Sequence, residues 1–279
     1  MYWKLTINAI LGSILLHLIY VVISWLTDVP GNHILDGWVF LANFLVALIL
    51  GFYIMKSRLK RWQLMLGVFL IYFIIGHFNL LIEAYIFNIT DRGETISELY
   101  RGLMVALVFS PLYVLVFRSI LKANTTGKMK FQSRNTGGWI WRILLGDIMY
   151  LFFYIGAGLI LSIARPDIMN FYDGKLPDFP LMIQTQIYLR GFLFVGVAIL
   201  ILRTMTGSRL RNAIFIGLVF AVIGAIAPLI PANDLMPGYV RWGHGIEVST
   251  SNFIYGLLLG LLLGQTPEQA GVEKRIEQN

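Results

Sequence analysis

The sequence contains no cysteine among its 279 residues. Disulfide bonds, thiolate nucleophiles and cysteine-based metal sites are therefore excluded. Charge is also scarce, because Asp, Glu, Lys and Arg make up only 13% of the residues. This share is about half of the roughly 25% that is usual in soluble domains. The uncharged residues form long blocks, and this pattern is typical of a polytopic membrane protein.

Apolar residues make up 57% of the chain and form eight long blocks. Each block is close to the roughly 20 residues that an α-helix needs to cross a bilayer. Backbone amides in hydrocarbon must be paired, and no block has the alternating pattern of a membrane β-barrel. The predicted fold class is an all-α polytopic membrane protein with eight transmembrane helices, at residues 5–27, 37–55, 63–88, 98–121, 138–164, 181–203, 209–230 and 246–264.

The charges between the blocks alternate in sign along the chain. Basic residues lie in the loops 56–62 and 122–137, and acidic residues lie in the alternate loops, with Asp28, Asp91 and Asp234 among them. Because cytoplasmic loops are rich in Lys and Arg, we expect both termini in the cytoplasm and the chain in the inner (plasma) membrane. The net charge of +7 then reflects topology, and we expect no nucleic-acid partner.

Two stretches that lie 151 residues apart resemble each other. VALILGFYIMKSRLKR at 46–61 aligns without a gap with VAILILRTMTGSRLRN at 197–212, and the same offset places Glu83 opposite Asp234. The alignment predicts two parallel four-helix repeats, an arrangement that occurs in transporters with sites at the repeat interface. The chain then divides into a first membrane half, a cytoplasmic linker loop, a second membrane half and a cytoplasmic tail, at 1–121, 122–137, 138–264 and 265–279.

Strongly polar side chains occur in the outer halves of four predicted helices. An ionisable group in the middle of a membrane costs roughly 2.5–3.5 kcal/mol on insertion scales, so each needs a partner or a function. We predict a polar cavity between these helices. The candidate ligand-binding residues are Arg101, Arg190, Glu83, Glu247, His77, His244, Asn79 and Asn252.

This cluster has two interpretations. In the first, ion pairs such as Arg101–Glu83 or Arg190–Glu247 only hold the helices together, because buried ion pairs are often structural. In the second, the arginines bind a phosphate or carboxylate group bidentately, and the glutamates and histidines carry protons. The sequence alone favours neither.

Two further ionisable residues lie inside predicted helices. His17 is at the centre of the first helix, and Asp147 is in the inner third of the fifth, where a local pair with Arg142 is expected. A lone histidine in a helical bundle more often bonds a neighbouring helix than carries protons. Both residues are nevertheless candidates for a proton relay.

Motifs of known enzymes are few. The chain has no G-x-S-x-G sequence and no phosphate-binding loop. His244 and Glu247 form only half of a metal site of the H-E-x-x-H kind, and His77 and Glu83 would have to supply the other ligands. We therefore predict no metal site, and no motif indicates a cofactor.

One region is similar to a known enzyme family. QIYLRGFLFV at 186–195, followed by HGIEVSTSNFIYG, resembles the CAAX-type intramembrane proteases, which implies an intramembrane hydrolase. Arg190 and Gly191 match the family's motif, but Thr185 and Gln186 replace its paired glutamates. The seventh predicted helix also lacks the family's histidine. The resemblance covers about a quarter of the chain and does not include the catalytic acids.

These observations favour a membrane protein that binds or translocates a small anionic or amphiphilic ligand, such as a lipid headgroup, through the outer-half cavity. Two alternatives stay open. One is an intramembrane enzyme of the hydrolase type with Glu and His as acid–base or metal groups. The other is a structural subunit of a membrane complex. The expected partners are the bilayer and such a ligand, with a second membrane protein as a further candidate.

Overall fold

The computed structural model describes residues 2–27, 36–117, 134–233 and 235–264. Some residues on which the predicted topology depends lie outside these ranges. They are Asp28 and Asp234 of the acidic loops, the basic part of the linker loop at 122–133, and the predicted tail at 265–279.

The described residues form eight helices that are long and apolar enough to cross a membrane. This confirms the all-α class and the predicted number of helices, and within the described part of the chain no β-strand forms. In chain order the helices are α1 (Trp3–Thr27), α2 (Gly37–Lys56), α3 (Arg61–Ile86), α4 (Arg92–Val116), α5 (Thr136–Ala164), α6 (Phe179–Thr204), α7 (Arg209–Leu229) and α8 (Gly238–Leu263).

Helices α4 and α8 begin earlier than the predicted positions 98 and 246. Asp91 and Glu94 form a capping box, in which each carboxylate accepts a hydrogen bond from the other residue's amide, at 2.8 and 3.0 Å. The box starts α4 at Arg92. Helix α8 starts directly after Pro237. Polar first turns are therefore helical here, and His244, which precedes the predicted start at 246, lies inside α8 together with Glu247.

One hydrophobic core runs through both halves of the bundle. In each half the first helix packs beside the second and the third beside the fourth, so that α1 contacts α2 and α7 contacts α8. The α7–α8 contact is close, because a Cβ atom at Gly256 would lie 2.8 Å from the Cα atom of Gly217. A second apolar cluster lies where α5 ends and α8 begins, and it contains Leu161, Ile168, Tyr172 and Val240.

Helices α3 and α7 match in the length of their first α-helical segment and in the internal break that follows it. Their first residues, Arg61 and Arg209, are 148 residues apart, and each helix has 13 α-helical residues before a π-helical turn. The π-helical turns are Ile74–Phe78 and Val222–Ile226, again 148 residues apart. This structural offset is three residues shorter than the 151 of the sequence alignment.

The turns that precede α3 and α7 form an isolated antiparallel bridge with each other. The Arg58 amide donates a hydrogen bond to the Thr204 carbonyl at 2.8 Å. In return, the Thr206 amide donates to the Lys56 carbonyl at 2.8 Å. Arg58 corresponds to Thr206, and Lys56 to Thr204, at the same 148-residue offset. The contact is therefore reciprocal, as at a two-fold axis.

The π-helical turns of α3 and α7 also contact each other reciprocally. A Cβ atom at Gly76 would lie 3.1 Å from Cγ2 of Ile223, and one at Gly224 would lie 3.1 Å from Cγ2 of Ile75. At both positions a Cβ atom would be in tight contact with an isoleucine, so a larger residue would force the neighbour to shift. We call this contact between Ile74–Phe78 and Val222–Ile226 the π-turn seam.

Candidate functional site

A cavity of ≈ 330 Å³ lies at the end of the bundle where α3 and α5 end and α6 and α8 begin. We call it the acidic cavity, because Glu83 and Glu247 line it together with Arg190 and His244. Glu83 comes from the first half of the chain and the other three residues from the second. With Asn252, the cavity thus brings together five of the residues predicted to bind a ligand.

Arg190 is the centre of a buried hydrogen-bond network. It lies at the end of a π-helical turn in α6 (Gln186–Arg190) and is only 3% exposed. Its Nη2 donates to Oε2 of Glu83 at 2.7 Å, and its Nε donates to Oδ1 of Asn79 at 2.9 Å. Its Nη1 donates to Oε1 of Gln186 at 3.2 Å. Each of the three guanidinium nitrogens donates to a protein acceptor, and these three bonds hold Arg190 in place.

His244 and Glu247 form a second pair, one turn apart on α8. Nδ1 of His244 lies 3.1 Å from Oε2 of Glu247, and both side chains keep some exposure. The four ionisable groups that line the cavity are therefore two carboxylates, one guanidinium and one imidazole. When His244 is neutral, negative charge exceeds positive charge, and the cavity attracts cations.

Tyrosine side chains form much of the polar remainder of the cavity. The guanidinium carbon of Arg190 lies 5.7 Å from the ring centre of Tyr150 and 5.5 Å from that of Tyr154. The hydroxyls of Tyr154 and Tyr172 are buried and have no hydrogen-bond partner among the described residues. A buried hydroxyl without a partner costs free energy, so these two groups are suited to bond a ligand that enters the cavity.

A short helix, Pro166–Phe171, and the residues after it cover the acidic cavity. Ile168 of this helix is fully buried in the small apolar cluster, and Met169, Tyr172 and Leu176 line the cavity. Burial raises the pKa of the Tyr172 hydroxyl, so it stays protonated. The cover is held by packing against α8 and is not part of a membrane-crossing helix.

Most of the cavity wall is apolar. The side chains that form it come from α3, α5, α8 and the covering segment, and they include Phe87, Ile155, Leu159, Met169, Leu176 and Val248. Such a wall holds the apolar body of a ligand, while a few polar groups fix its orientation.

Three of the predicted residues lie in a different cavity. Arg101, His77 and His17 line a cavity of ≈ 280 Å³ between α1, α2, α3, α4 and α7, which we call the histidine cavity. Arg101 forms an ion pair with Glu98 of its own helix, not with Glu83. The two arginines of the predicted single cluster are therefore separated, and Glu247 pairs with His244 rather than with Arg190.

The remaining predicted residues are Asn252 and Asp147. Asn252 lines the acidic cavity and its Nδ2 lies 3.5 Å from the Phe220 carbonyl. Asp147 is buried against Gly191, and its Oδ1 has no hydrogen-bond partner among the described residues. The expected pair with Arg142 does not form, because Arg142 donates instead to the carbonyl of the residue four positions earlier in α5.

No three His, Asp or Glu side chains of the described residues come together as ligands for one metal ion. The four-ligand set suggested by the sequence is not assembled, because His77 lines the histidine cavity. His244 and Glu247 approach each other as a hydrogen-bonded pair.

Sequence reasoning left out the tyrosines. Tyr150 and Tyr154 are four residues apart and share one face of α5, so their spacing was a usable signal. Tyr172 lies in a loop segment, and no periodicity marks it. Gln186, four residues before Arg190, was visible as a partner on the same helix but was not among the candidate residues.

Comparison of the chain with family models, with curated proteins and with solved structures finds no match. The function therefore has to be argued from the two cavities and from the side chains that line them.

Proposed function

We propose that this protein is a multi-pass membrane protein that binds and translocates a small amphiphile carrying a cationic group, and that the acidic cavity is its binding site. The observation that carries the proposal is the excess of carboxylates over fixed positive charge in an aromatic, mostly apolar cavity. The sequence suggested an anionic or amphiphilic ligand. The amphiphilic character is kept, and the sign of the charge changes because of how Arg190 is bonded.

The polar groups of the cavity suit an ammonium group. Glu83 already neutralises Arg190, which leaves Glu247 as the carboxylate that a ligand cation would meet, beside His244. The rings of Tyr150 and Tyr154 present faces that attract cations. The unpartnered hydroxyl oxygens of Tyr154 and Tyr172 accept hydrogen bonds from an ammonium group,.

A proton exchange accompanies this binding mode. A carboxylate holds a cation only in its ionised form, and an imidazole beside it repels the cation when it is protonated. Binding therefore releases a proton from the His244–Glu247 pair. In a membrane this exchange couples ligand movement to the proton gradient, which is the use we assign to the pair.

The two halves of the chain are, in this proposal, parallel repeats related at an offset of 148 residues. The reciprocal bridge before α3 and α7 and the π-turn seam support it. Both contacts involve α3 and α7, one at the start of these helices and one inside them, so the symmetry axis runs along the helices. Parallel repeats related in this way are known in transporters.

The proposed location is the inner (plasma) membrane, with both termini in the cytoplasm, and it rests on the loop charges. Because the chain has no cysteine, single cysteines report topology without background. In intact cells a membrane-impermeant maleimide should label D173C and leave K60C unlabelled until the membrane is permeabilised. Asp173 and Lys60 are both exposed, and the reverse labelling pattern would show the opposite orientation.

The binding proposal is tested with phenethylammonium as the cationic probe and phenethyl alcohol as its neutral counterpart. The purified protein in lipid nanodiscs should bind the ammonium form saturably and the alcohol at least tenfold more weakly. Glu247→Gln should lower the affinity roughly 10–100-fold, the usual worth of a hydrogen bond to a charged group. Asp178→Asn is the control. It removes one negative charge, as Glu247→Gln does, but at an exposed residue away from the cavity.

Equal affinity for the two probes would overturn the proposal, as would a Glu247→Gln variant that binds phenethylammonium as the parent protein does. In either case the ion pairs of the acidic cavity would be structural, as the subunit alternative expects. Counterflow of the radiolabelled probe in proteoliposomes tests translocation separately from binding.

A further inference from the structure

The histidine cavity lies at the same end of the bundle as the acidic cavity, but in the first half of the chain. Its wall is formed by the later part of α1, the earlier part of α2, the middle of α3 and the start of α4. Helix α7 of the second half closes it, with Ile223 and Ala227 in the wall. Helix α3 of the first half contributes to the acidic cavity in the corresponding way, through Glu83.

The two cavities differ in chemistry. The polar side chains that line the histidine cavity are His17, Tyr20, Ser24, Asn43, Tyr72, His77 and Arg101. All of them carry hydrogen-bond donors, and among the described lining residues none is a carboxylate. The acidic cavity, in contrast, has two carboxylates in its wall. The histidine cavity therefore offers hydrogen-bond donors to an oxyanion, whereas the acidic cavity offers carboxylates to a cation.

Arg101 brings a guanidinium group to the cavity wall, and Glu98 of the same helix balances its charge. The side chain of Arg101 is 14% exposed, and its Nη1 lies 3.5 Å from Oγ of Ser24, a buried residue of α1. Its ion-pair partner Glu98 is more exposed and does not line the cavity. A guanidinium group in a membrane-embedded pocket binds oxyanions bidentately.

His77 is held in place on two sides. The π-helical turn Ile74–Phe78 directs it into the cavity, where its Nε2 lies 3.1 Å from the Tyr20 hydroxyl, and that hydroxyl lies 3.3 Å from the Tyr72 hydroxyl. On the other side the ring packs on Gly102, where a Cβ atom would lie 2.7 Å from Cγ of His77. Polar groups held in this way inside an apolar bundle cost free energy, and such groups commonly mark a functional site.

We infer that the histidine cavity is a second ligand site and that it binds a phosphate group. Arg101 holds two phosphate oxygens, and Ser24, Asn43 and the Tyr20–His77 pair donate to the others. The apolar part of the wall, which includes Val39, Ala42 and Val46, suits the remainder of a phospholipid. The phosphate comes either from a lipid headgroup or from free phosphate, and the experiment separates these sources.

The test uses the full-length protein in a neutral detergent, with its thermal unfolding temperature as the readout. Dioleoylphosphatidylglycerol and, separately, inorganic phosphate are titrated, because a ligand of the folded state raises the unfolding temperature in a saturable way. Dioleoylglycerol, which has the same acyl chains and no phosphate, is the lipid control for unspecific micelle effects. Stabilisation by phosphatidylglycerol alone assigns the site to a lipid headgroup, and stabilisation by inorganic phosphate assigns it to the free ion.

Three variants locate the effect. Arg101→Met should weaken the apparent affinity for the phosphate ligand at least tenfold. Asn43→Leu should do the same without a change of charge, because it fills the cavity. Arg92→Met is the matched control, since Arg92 lies on the same helix, is exposed and is not part of the cavity wall.

Equal stabilisation of all variants by the phosphate ligand would overturn the inference, and so would the absence of saturable stabilisation by either phosphate source. If Arg101→Met does not fold, the loss of phosphate binding in Asn43→Leu tests the inference in its place. Glu247→Gln should leave phosphate binding unchanged, so failure of the cation site and failure of the phosphate site are distinguishable.

Discussion

Nη2 of Arg190 lies 2.7 Å from Oε2 of Glu83, and this ion pair joins α6 of the second half to α3 of the first. Both side chains are largely buried, at 4% and 15% exposure. Asn79, one turn before Glu83, bonds the same guanidinium group. The pair therefore sets the distance between the two halves at the edge of the acidic cavity.

Removing one partner of this pair should destabilise the protein more than removing both. Arg190→Met or Glu83→Gln alone leaves a buried charge without a partner, which costs about 3–5 kcal/mol. The double variant leaves no charge and should recover a large part of that loss. Unfolding by sodium dodecyl sulfate in mixed micelles measures all three. Purely additive losses would mean that the two side chains do not interact.

Tyr172→Phe should separate ligand binding from stability. The hydroxyl has no hydrogen-bond partner among the described residues, so its loss should leave the unfolding free energy within about 0.5 kcal/mol of the parent value. The affinity for phenethylammonium should fall roughly 2–10-fold, the worth of one ordinary hydrogen bond. Tyr188→Phe is a control at an exposed tyrosine of α6. A matching loss in both variants would remove Tyr172 from the site.

Cation binding should release protons from the acidic cavity. A cation displaces a proton from the His244–Glu247 pair, so acidification should weaken binding, because protons compete for the same carboxylate. In weakly buffered solution the addition of phenethylammonium should release about one proton per site, which is measured as a fall in pH. Glu247→Gln should abolish this release. A pH-independent affinity would contradict the proposed exchange.

The π-turn seam predicts a matched pair of effects. Gly76→Val and Gly224→Val each insert side-chain atoms at positions where a Cβ atom alone would already lie 3.1 Å from an isoleucine. Overpacking of this kind costs about 1–3 kcal/mol. Since the contacts are reciprocal, the two losses should be similar in unfolding experiments. Gly196→Val is the control, because no atom lies within 4 Å of its Cβ position. Clearly unequal losses would count against parallel repeats at this offset.

The sequence predicted the helices well because membrane insertion leaves a strong hydropathy signal, and only the polar first turns of α4 and α8 were placed outside. It predicted the members of the candidate site less well. Polar residues stand out inside an apolar helix because burying them in a membrane costs free energy. Arg190, Glu83 and His244 could therefore be recognised from the sequence. Which of them meet depends on helix packing and rotation, and for this reason Arg101 was grouped with Glu83 although they line different cavities.

The structural offset also differed from the sequence offset for a physical reason. The alignment rested on apolar residues and on the Ser-Arg-Leu turn, and apolar residues replace one another easily in hydrophobic helices. The backbone contacts between the turns, and the glycines at the π-turn seam, are set by geometry. These positions correspond at 148 residues, and an ungapped comparison of hydrophobic stretches does not detect them.

Helix α3 lines both the acidic cavity and the histidine cavity. Its Glu83 faces the acidic cavity, and its His77, fewer than two turns away, faces the histidine cavity. Directly before His77, Gly76 of the π-turn seam packs α3 closely against α7. A tilt of α3 that makes room on one side takes room from the other. If a ligand in one cavity moves α3 in this way, the affinity of the other cavity changes, and thermodynamic linkage requires the influence to be equal in both directions.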